Sequence, residues 1–119
     1  MRVFNNNLLE TNKWAKINCK GKIPKPRSNS KCIYIHPNIF MFGGTCLGDI
    51  GDNTSKNELF SYNIYSNEWK VILSKNTPKD RTEFTFTRID QIAILYGGGT
   101  APSDSCYDDL WIFSNSMLI

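Results

Sequence analysis

The sequence predicts an all-β chain built from repeated units of four short antiparallel strands. Three observations carry that expectation. Two long segments align with one another at an offset of 54 residues, as Pro24 with Pro78, Arg27 with Arg81 and Gly43 with Gly97, and self-similarity at such a spacing marks a repeat architecture. Within each copy, short apolar runs and period-two alternation mark strands. No segment shows the 3.6-residue periodicity of an amphipathic helix.

Taken in order, residues 1–17 form the end of a preceding unit. Val3-Phe4 resembles part of the later Phe60-Ser61-Tyr62 strand, and Glu10-Thr11-Asn12-Lys13-Trp14 parallels Ser66-Asn67-Glu68-Trp69. Residues 18–73 form a complete unit. After Ile23-Pro24-Lys25-Pro26-Arg27, the His36-Pro37-Asn38 triplet supplies the turn between the first and second strands. Ile39 to Phe42 is a continuous apolar run, as expected of a strand buried on both faces. Gly43-Gly44 ends that strand where a Cβ would obstruct turning or close packing. Leu59, Phe60 and Tyr62 form the third strand, and Trp69, Val71 and Leu73 alternate on the fourth. Residues 74–119 repeat the unit without its last strand. There Phe84 and Phe86 alternate with Thr85 and Thr87, Arg88-Ile89-Asp90 turns, Ile92 to Tyr96 is apolar, and Gly97-Gly98 follows. Asp108-Asp109-Leu110-Trp111-Ile112-Phe113-Ser114 then matches Asn57 to Asn63, at an offset of 51 because the second loop is three residues shorter.

Two glycines after an apolar strand, an aromatic strand some 15 residues on, and a Trp seven residues beyond its Tyr resemble the kelch repeat, with Pro-x-x-Arg ahead of them. The order and repetition of these elements carry the resemblance, which covers nearly the whole chain. It implies kelch-type β-propeller blades, four-stranded antiparallel sheets arranged radially around a channel. It also implies structural roles for Trp14, Arg27, Gly43, Gly44, Tyr62, Trp69, Arg81, Gly97, Gly98 and Phe113. Tyr62 and Trp69 would pack between neighbouring blades, with Phe113 in the Tyr position. Arg27 and Arg81 would pair with backbone carbonyls or with acids such as Glu58 and Asp109.

A propeller takes about four to eight blades, so the propeller here is incomplete, and stacked repeats do not close a core when so few are present. The readings are a piece of a longer protein, an assembly of copies or a truncated gene product. Entry at Met1 in mid-blade and the stop at Ile119 favour the first. Further kelch blades are expected as partners, in cis or from another chain.

The rest of the composition narrows the chemistry. With 40% apolar and 13% aromatic residues the chain is expected to fold. It contains no apolar stretch of about 18 residues, so membrane insertion is not expected. Met1 to Glu10 lacks the apolar run of a secretory signal, so a cytoplasmic location, or a nuclear one, is the expectation. Asn53-Thr54-Ser55 fits a glycosylation sequon, which matters only in a secreted chain. Cys19, Cys32, Cys46 and Cys106 form no C-x-x-C pair and His36 is the sole histidine, so free thiols are expected and no metal. Asp49, Asp52 and Asn53 do not have the spacing of a calcium loop. The glycine-rich stretches after Phe42 and Tyr96 lack the Lys-Ser/Thr of a phosphate loop, and no helix follows them. The adjacent Asp108 and Asp109 point to opposite faces of a strand, so they do not make a catalytic carboxylate pair. One histidine is too few for the copper site of galactose-oxidase-type enzymes, whose fold is similar. No cofactor and no enzymatic activity are expected.

The formal charge of +3 is unevenly spread: Lys13, Lys16, Lys20, Lys22, Lys25, Arg27 and Lys31 occur with no acid between them. An anionic partner is one reading, and a solvated edge whose lysines discourage pairing is the plainer one. Aromatic interleaving is sparse, which argues against nucleic acid. The resemblance points to a protein–protein interaction module, a binding scaffold or adaptor whose partner the sequence leaves open. The alternative is a regulatory or substrate-recognition propeller domain of a larger enzyme, such as a ubiquitin-ligase adaptor or a phosphatase. Recognition is expected on loops: on Lys20, Lys22 and Lys25, on Asp49 and Asp52, on Lys75 and Lys79, and on Ser103 and Asp104.

Overall fold

The computed structural model describes residues 12–47, 53–100 and 105–115. These form ten strands and, among the described residues, no helix. In chain order they are β1 (Lys20–Gly21), β2 (Lys31–Ile35), β3 (Asn38–Phe42), β4 (Thr45–Leu47), β5 (Asn53–Ser55), β6 (Leu59–Asn63), β7 (Glu68–Ile72), β8 (Thr85–Ile89), β9 (Ile92–Tyr96) and β10 (Leu110–Ser114).

The first blade is the antiparallel meander β2-β3-β6-β7, with the two-residue β1 added in parallel on the outer edge of β7. The second blade is the antiparallel sheet β8-β9-β10. Register fixes which side chains share a face. In the first blade Ile33 lies opposite Phe40, Phe42 opposite Leu59, and Leu59 opposite Ile72. In the second, Phe86 lies opposite Leu95, Leu95 opposite Trp111, and Ala93 opposite Phe113. These two apolar faces meet, and the core lies between the sheets rather than inside either one. Phe40 and Phe113 touch edge to face at 5.1 Å between ring centroids, and Phe42 meets Phe84 at 5.5 Å, the arrangement that aromatic quadrupoles favour.

The turns sort the molecule into two ends. The His36-Pro37 turn, whose peptide bond is cis, joins β2 to β3, and residues 64–67 join β6 to β7 at the same end. Asn67 there takes a left-handed φ of 57°, which asparagine accepts more readily than most residues. At the opposite end lie the glycine pairs and the long connections.

Several features depart from the expectations. Trp14 sits in irregular chain with relative exposure 102%, not in a packed strand. Its expected packing requires a sheet preceding the first blade, and among the described residues no strand lies there. The connection expected from Thr45 to Lys56 carries a small hairpin, β4 paired with β5. Leu73, placed by alternation on the fourth strand, lies beyond β7 and is exposed. Val3-Phe4 falls outside the described residues.

Candidate functional site

The end bearing the glycine pairs is built around two equivalent arginines. Arg81 is fully buried. Its Nε donates to the Lys79 carbonyl at 3.0 Å and its Nη1 to the Gly97 carbonyl at 2.9 Å. Both Nη atoms grip Asp109, at 2.6 and 2.9 Å, a bidentate fork that lysine does not reproduce. The guanidinium also lies 4.1 Å over the Tyr107 ring. Arg27 repeats the plan in looser form. It donates to the carbonyls of Lys25 and Gly43, each at 3.2 Å, and pairs with Glu58 at 3.2 Å through one contact. Hydrogen bonds from Arg81 hold the Asp109 carboxyl well below the usual carboxylate range, and the Trp111 indole N–H at 2.6 Å and the Arg81 charge add to the effect.

These arginines tie the loops to the strands, and a belt of backbone bonds ties the loops to each other. Ser28 and Thr45 exchange two bonds, at 3.0 and 2.7 Å. The Gly44 amide donates to the Arg81 carbonyl, and the Arg81 amide to that of Lys56, both at 3.1 Å. Thr82 and Gly99 exchange bonds at 2.8 and 2.9 Å, and Tyr107 donates to Gly98 at 2.9 Å. The Ser55 hydroxyl donates to Asp80 at 2.7 Å. The belt crosses from one blade to the next, so the described bases of these connections are hydrogen-bonded to one another across the two blades. A Cβ on Gly43 would lie 2.7 Å from both the Arg81 carbonyl and the Phe84 ring, so the belt closes only over a bare backbone there.

The recognition residues expected from sequence divide among different places. Lys25, Lys75 and Lys79 lie at this end with exposed side chains. Lys20 and Lys22 do not. Lys20 stands opposite Glu68, and the Lys22 amide bonds the Trp69 carbonyl, towards the turn end of β7. The basic stretch therefore runs along the blade edge and does not form one patch with the other lysines. Asp49, Asp52, Ser103 and Asp104 lie outside the described residues.

The motif aromatics pack as a set. Trp69 lies 5.1 Å from Tyr62 and 6.3 Å from Phe60 between centroids. The Tyr62 hydroxyl donates to Asn67 at 2.7 Å, and burial, with the nearby Cys19, pushes its pKa up. One cluster escaped the sequence reading. At the turn end His36 stands between Tyr34, whose hydroxyl is 2.6 Å from Nδ1, and Tyr65, whose hydroxyl is 3.5 Å from Nε2. Tyr65 is 29 residues away in sequence, and only the antiparallel strand order shows that both turns share one end. Among the described residues no group of three or more His, Cys, Asp or Glu side chains is placed to hold a metal, and no helix is long and apolar enough to cross a membrane.

Comparison with known proteins bears on what this arrangement is. A family model described as the KLHDC2/KLHL20/DRC7 Kelch-repeats domain matches residues 3–117. The Rho GTPase-activating protein gacHH of Dictyostelium discoideum is 29% identical over 96 residues, which cover 78% of this chain and 6% of that protein. The putative protein tag-53 of Caenorhabditis elegans is 29% identical over 66 residues, covering 53% and 5%. The chain thus spans only about a twentieth of these curated relatives. The solved structure of YjhT superposes with a TM-score of 0.56 at 25% identity, over 61% of this chain and 21% of that one.

Proposed function

This chain belongs to the kelch-repeat family, and from that membership we propose that its loop-bearing end is a protein–protein interaction surface. Kelch repeats are in general non-catalytic binding modules. The observation that carries the reading is the hydrogen-bonded belt between two buried arginine side chains, that of Arg81 with its fork on Asp109 and that of Arg27 with its single contact to Glu58. It holds the connections of both blades on one base and leaves Lys25, Lys75 and Lys79 projecting into solvent. Preorganised loops on a rigid scaffold are how binding proteins limit the entropy lost on association. An acidic partner surface suits three lysines, and the chain itself acts without chemistry, in a cytosolic or nuclear setting.

The test is affinity capture with the full chain carrying Lys75→Glu and Lys79→Glu. Partners held by the unaltered chain should be lost, while Tyr65→Ala at the opposite end retains them. Recovery of the same partners by the charge-reversed chain would show that the loop end is not the binding surface.

The similarity to a Rho GTPase-activating protein favours a second reading, that this chain serves as a recognition segment within a larger catalytic protein. Sequencing the complete transcript separates the two. An appended catalytic domain supports the second, and kelch repeats alone leave the scaffold.

A further inference from the structure

The outer edge of the first blade carries positive charge that no acid among the described residues neutralises. β7 is the fourth strand of a complete blade, so its outer edge lies on the rim whatever blades stand on either side. β1 is bonded along that edge. Lys20 stands opposite Glu68 and Gly21 opposite Trp69, and the amides of Lys20 and Lys22 donate to the carbonyls of Asn67 and Trp69 at 3.0 and 2.9 Å. Gly21 makes this seat possible: its φ is 84°, and a Cβ there would overlap the Trp69 carbonyl.

The seat brings Lys22 alongside Lys70 of β7, because the carbonyl that accepts its amide bond is joined directly to the Lys70 nitrogen. Lys20, Lys22 and Lys70 are all exposed. Among the described residues only Arg27 and Arg81 form ion pairs, so Glu68 does not neutralise Lys20 across the register. Like charges set side by side on a sheet repel. Guarding a sheet edge against pairing accounts for Lys20 and Lys22. It does not account for Lys70, which lies one strand in, beside an edge that β1 already covers. Three cations fixed to a sheet in this way are complementary to closely spaced negative charge.

We infer that the rim formed by β1 and the middle of β7 docks an acidic segment of a partner protein, with Lys20, Lys22 and Lys70 pairing its carboxylates. Single-stranded nucleic acid is held by stacking on aromatic faces as well as by charge, and the aromatic at this edge, Trp69, is engaged with Tyr62 and Phe60. Ile23, 59% exposed beside the lysines, adds an apolar contact that a polypeptide uses and a phosphate backbone does not. The rim lies towards the turn end of β7, away from Lys75 and Lys79.

The test is fluorescence anisotropy of a labelled decaglutamate peptide titrated with the full chain at low and at physiological salt. Binding should be seen at low salt and weaken as salt screens it. Lys20→Glu combined with Lys22→Glu should weaken it at least about fivefold. Lys75→Glu combined with Lys79→Glu alters the net charge equally and should weaken it less than about twofold. Gly21→Ala leaves the charge untouched but unseats β1, and should weaken binding about threefold with the circular dichroism of the blades unchanged. Equal losses from the two charge-reversed pairs, or full binding by Gly21→Ala, would mean that net charge rather than the rim attracts the peptide, and would overturn the inference. So would no binding at low salt, or tighter binding of an oligouridylate or of phosphatidylserine vesicles than of decaglutamate.

Discussion

Arg27 and Arg81 occupy one repeat position and should differ in what they contribute. Arg81 is wholly buried, makes a bidentate pair and caps two carbonyls, whereas Arg27 meets a half-exposed Glu58 through a single 3.2 Å contact. Hydrogen bonds to charged groups stabilise by more than neutral ones, and losing one buried partner leaves the others unsatisfied. Arg81→Ala should therefore cost about 3 kcal/mol and Arg27→Ala about 1 kcal/mol in urea unfolding. Arg81→Lys should recover little, because a point charge cannot fork. Equal losses at the two positions would refute the ranking. Asp109 adds a pH dependence. Its carboxyl is held below its ordinary value in the folded state, so the stabilisation is complete above the unfolded value near pH 4 and is lost as pH falls through the lowered one. Asp109→Asn should start less stable at neutral pH and lose less on acidification, as read from urea midpoints between about pH 5 and pH 2.

At the scale of the strand, the glycines that end β3 and β9 look alike in sequence but meet different surroundings. Gly43 and Gly97 both have positive φ, at 67° and 72°. A Cβ at Gly43 would press on backbone and a buried ring at 2.7 Å, whereas at Gly97 the nearest atom would be 3.6 Å away. Gly97→Ala should cost only the conformational penalty of about 1 kcal/mol, and Gly43→Ala about 3 kcal/mol once the overlap is added. Thermal unfolding of the two variants measures the gap. This contrast also shows what could be read from the residues alone. The strands of each blade were legible from alternation, turn chemistry and an offset repeated within the chain, and their antiparallel order and the arginine pairs from the resemblance to the kelch repeat. Which glycine is crowded was not, because the crowding atom on Arg81 belongs to the next blade. The β4–β5 hairpin was missed for a related reason. Thr45 and Ser55 pair across a polar loop that shows no apolar alternation. The scatter of Lys20 and Lys22 away from the loop face followed from a parallel β1 that two residues could not announce.

At the scale of the molecule, the core belongs to neither blade alone. Ile33, Ile35 and Phe40 of the first sheet share one buried cluster with Ala93 of the second, and Phe42 shares another with Phe84 and Leu95. Trp14 failed to pack where its motif resemblance placed it for the same reason that the core forms where it does: a blade face is buried only when another blade lies against it. The outer face of the second blade, with Tyr96, Leu110 and Ile112 exposed, makes the point from the other side. In repeat architectures stability is held largely in such interfaces, so the two blades should open together. Phe84→Leu tests this. Phe84 is 2% exposed, precedes β8 and touches Phe42 of β3. Its replacement should lower stability by about 1 kcal/mol, and native-state hydrogen exchange should report that same decrement at the slowest amides of β3 and β9 alike. A loss of protection confined to β8, β9 and β10 would mean that each blade folds on its own, and the shared core would then not be what holds the molecule together.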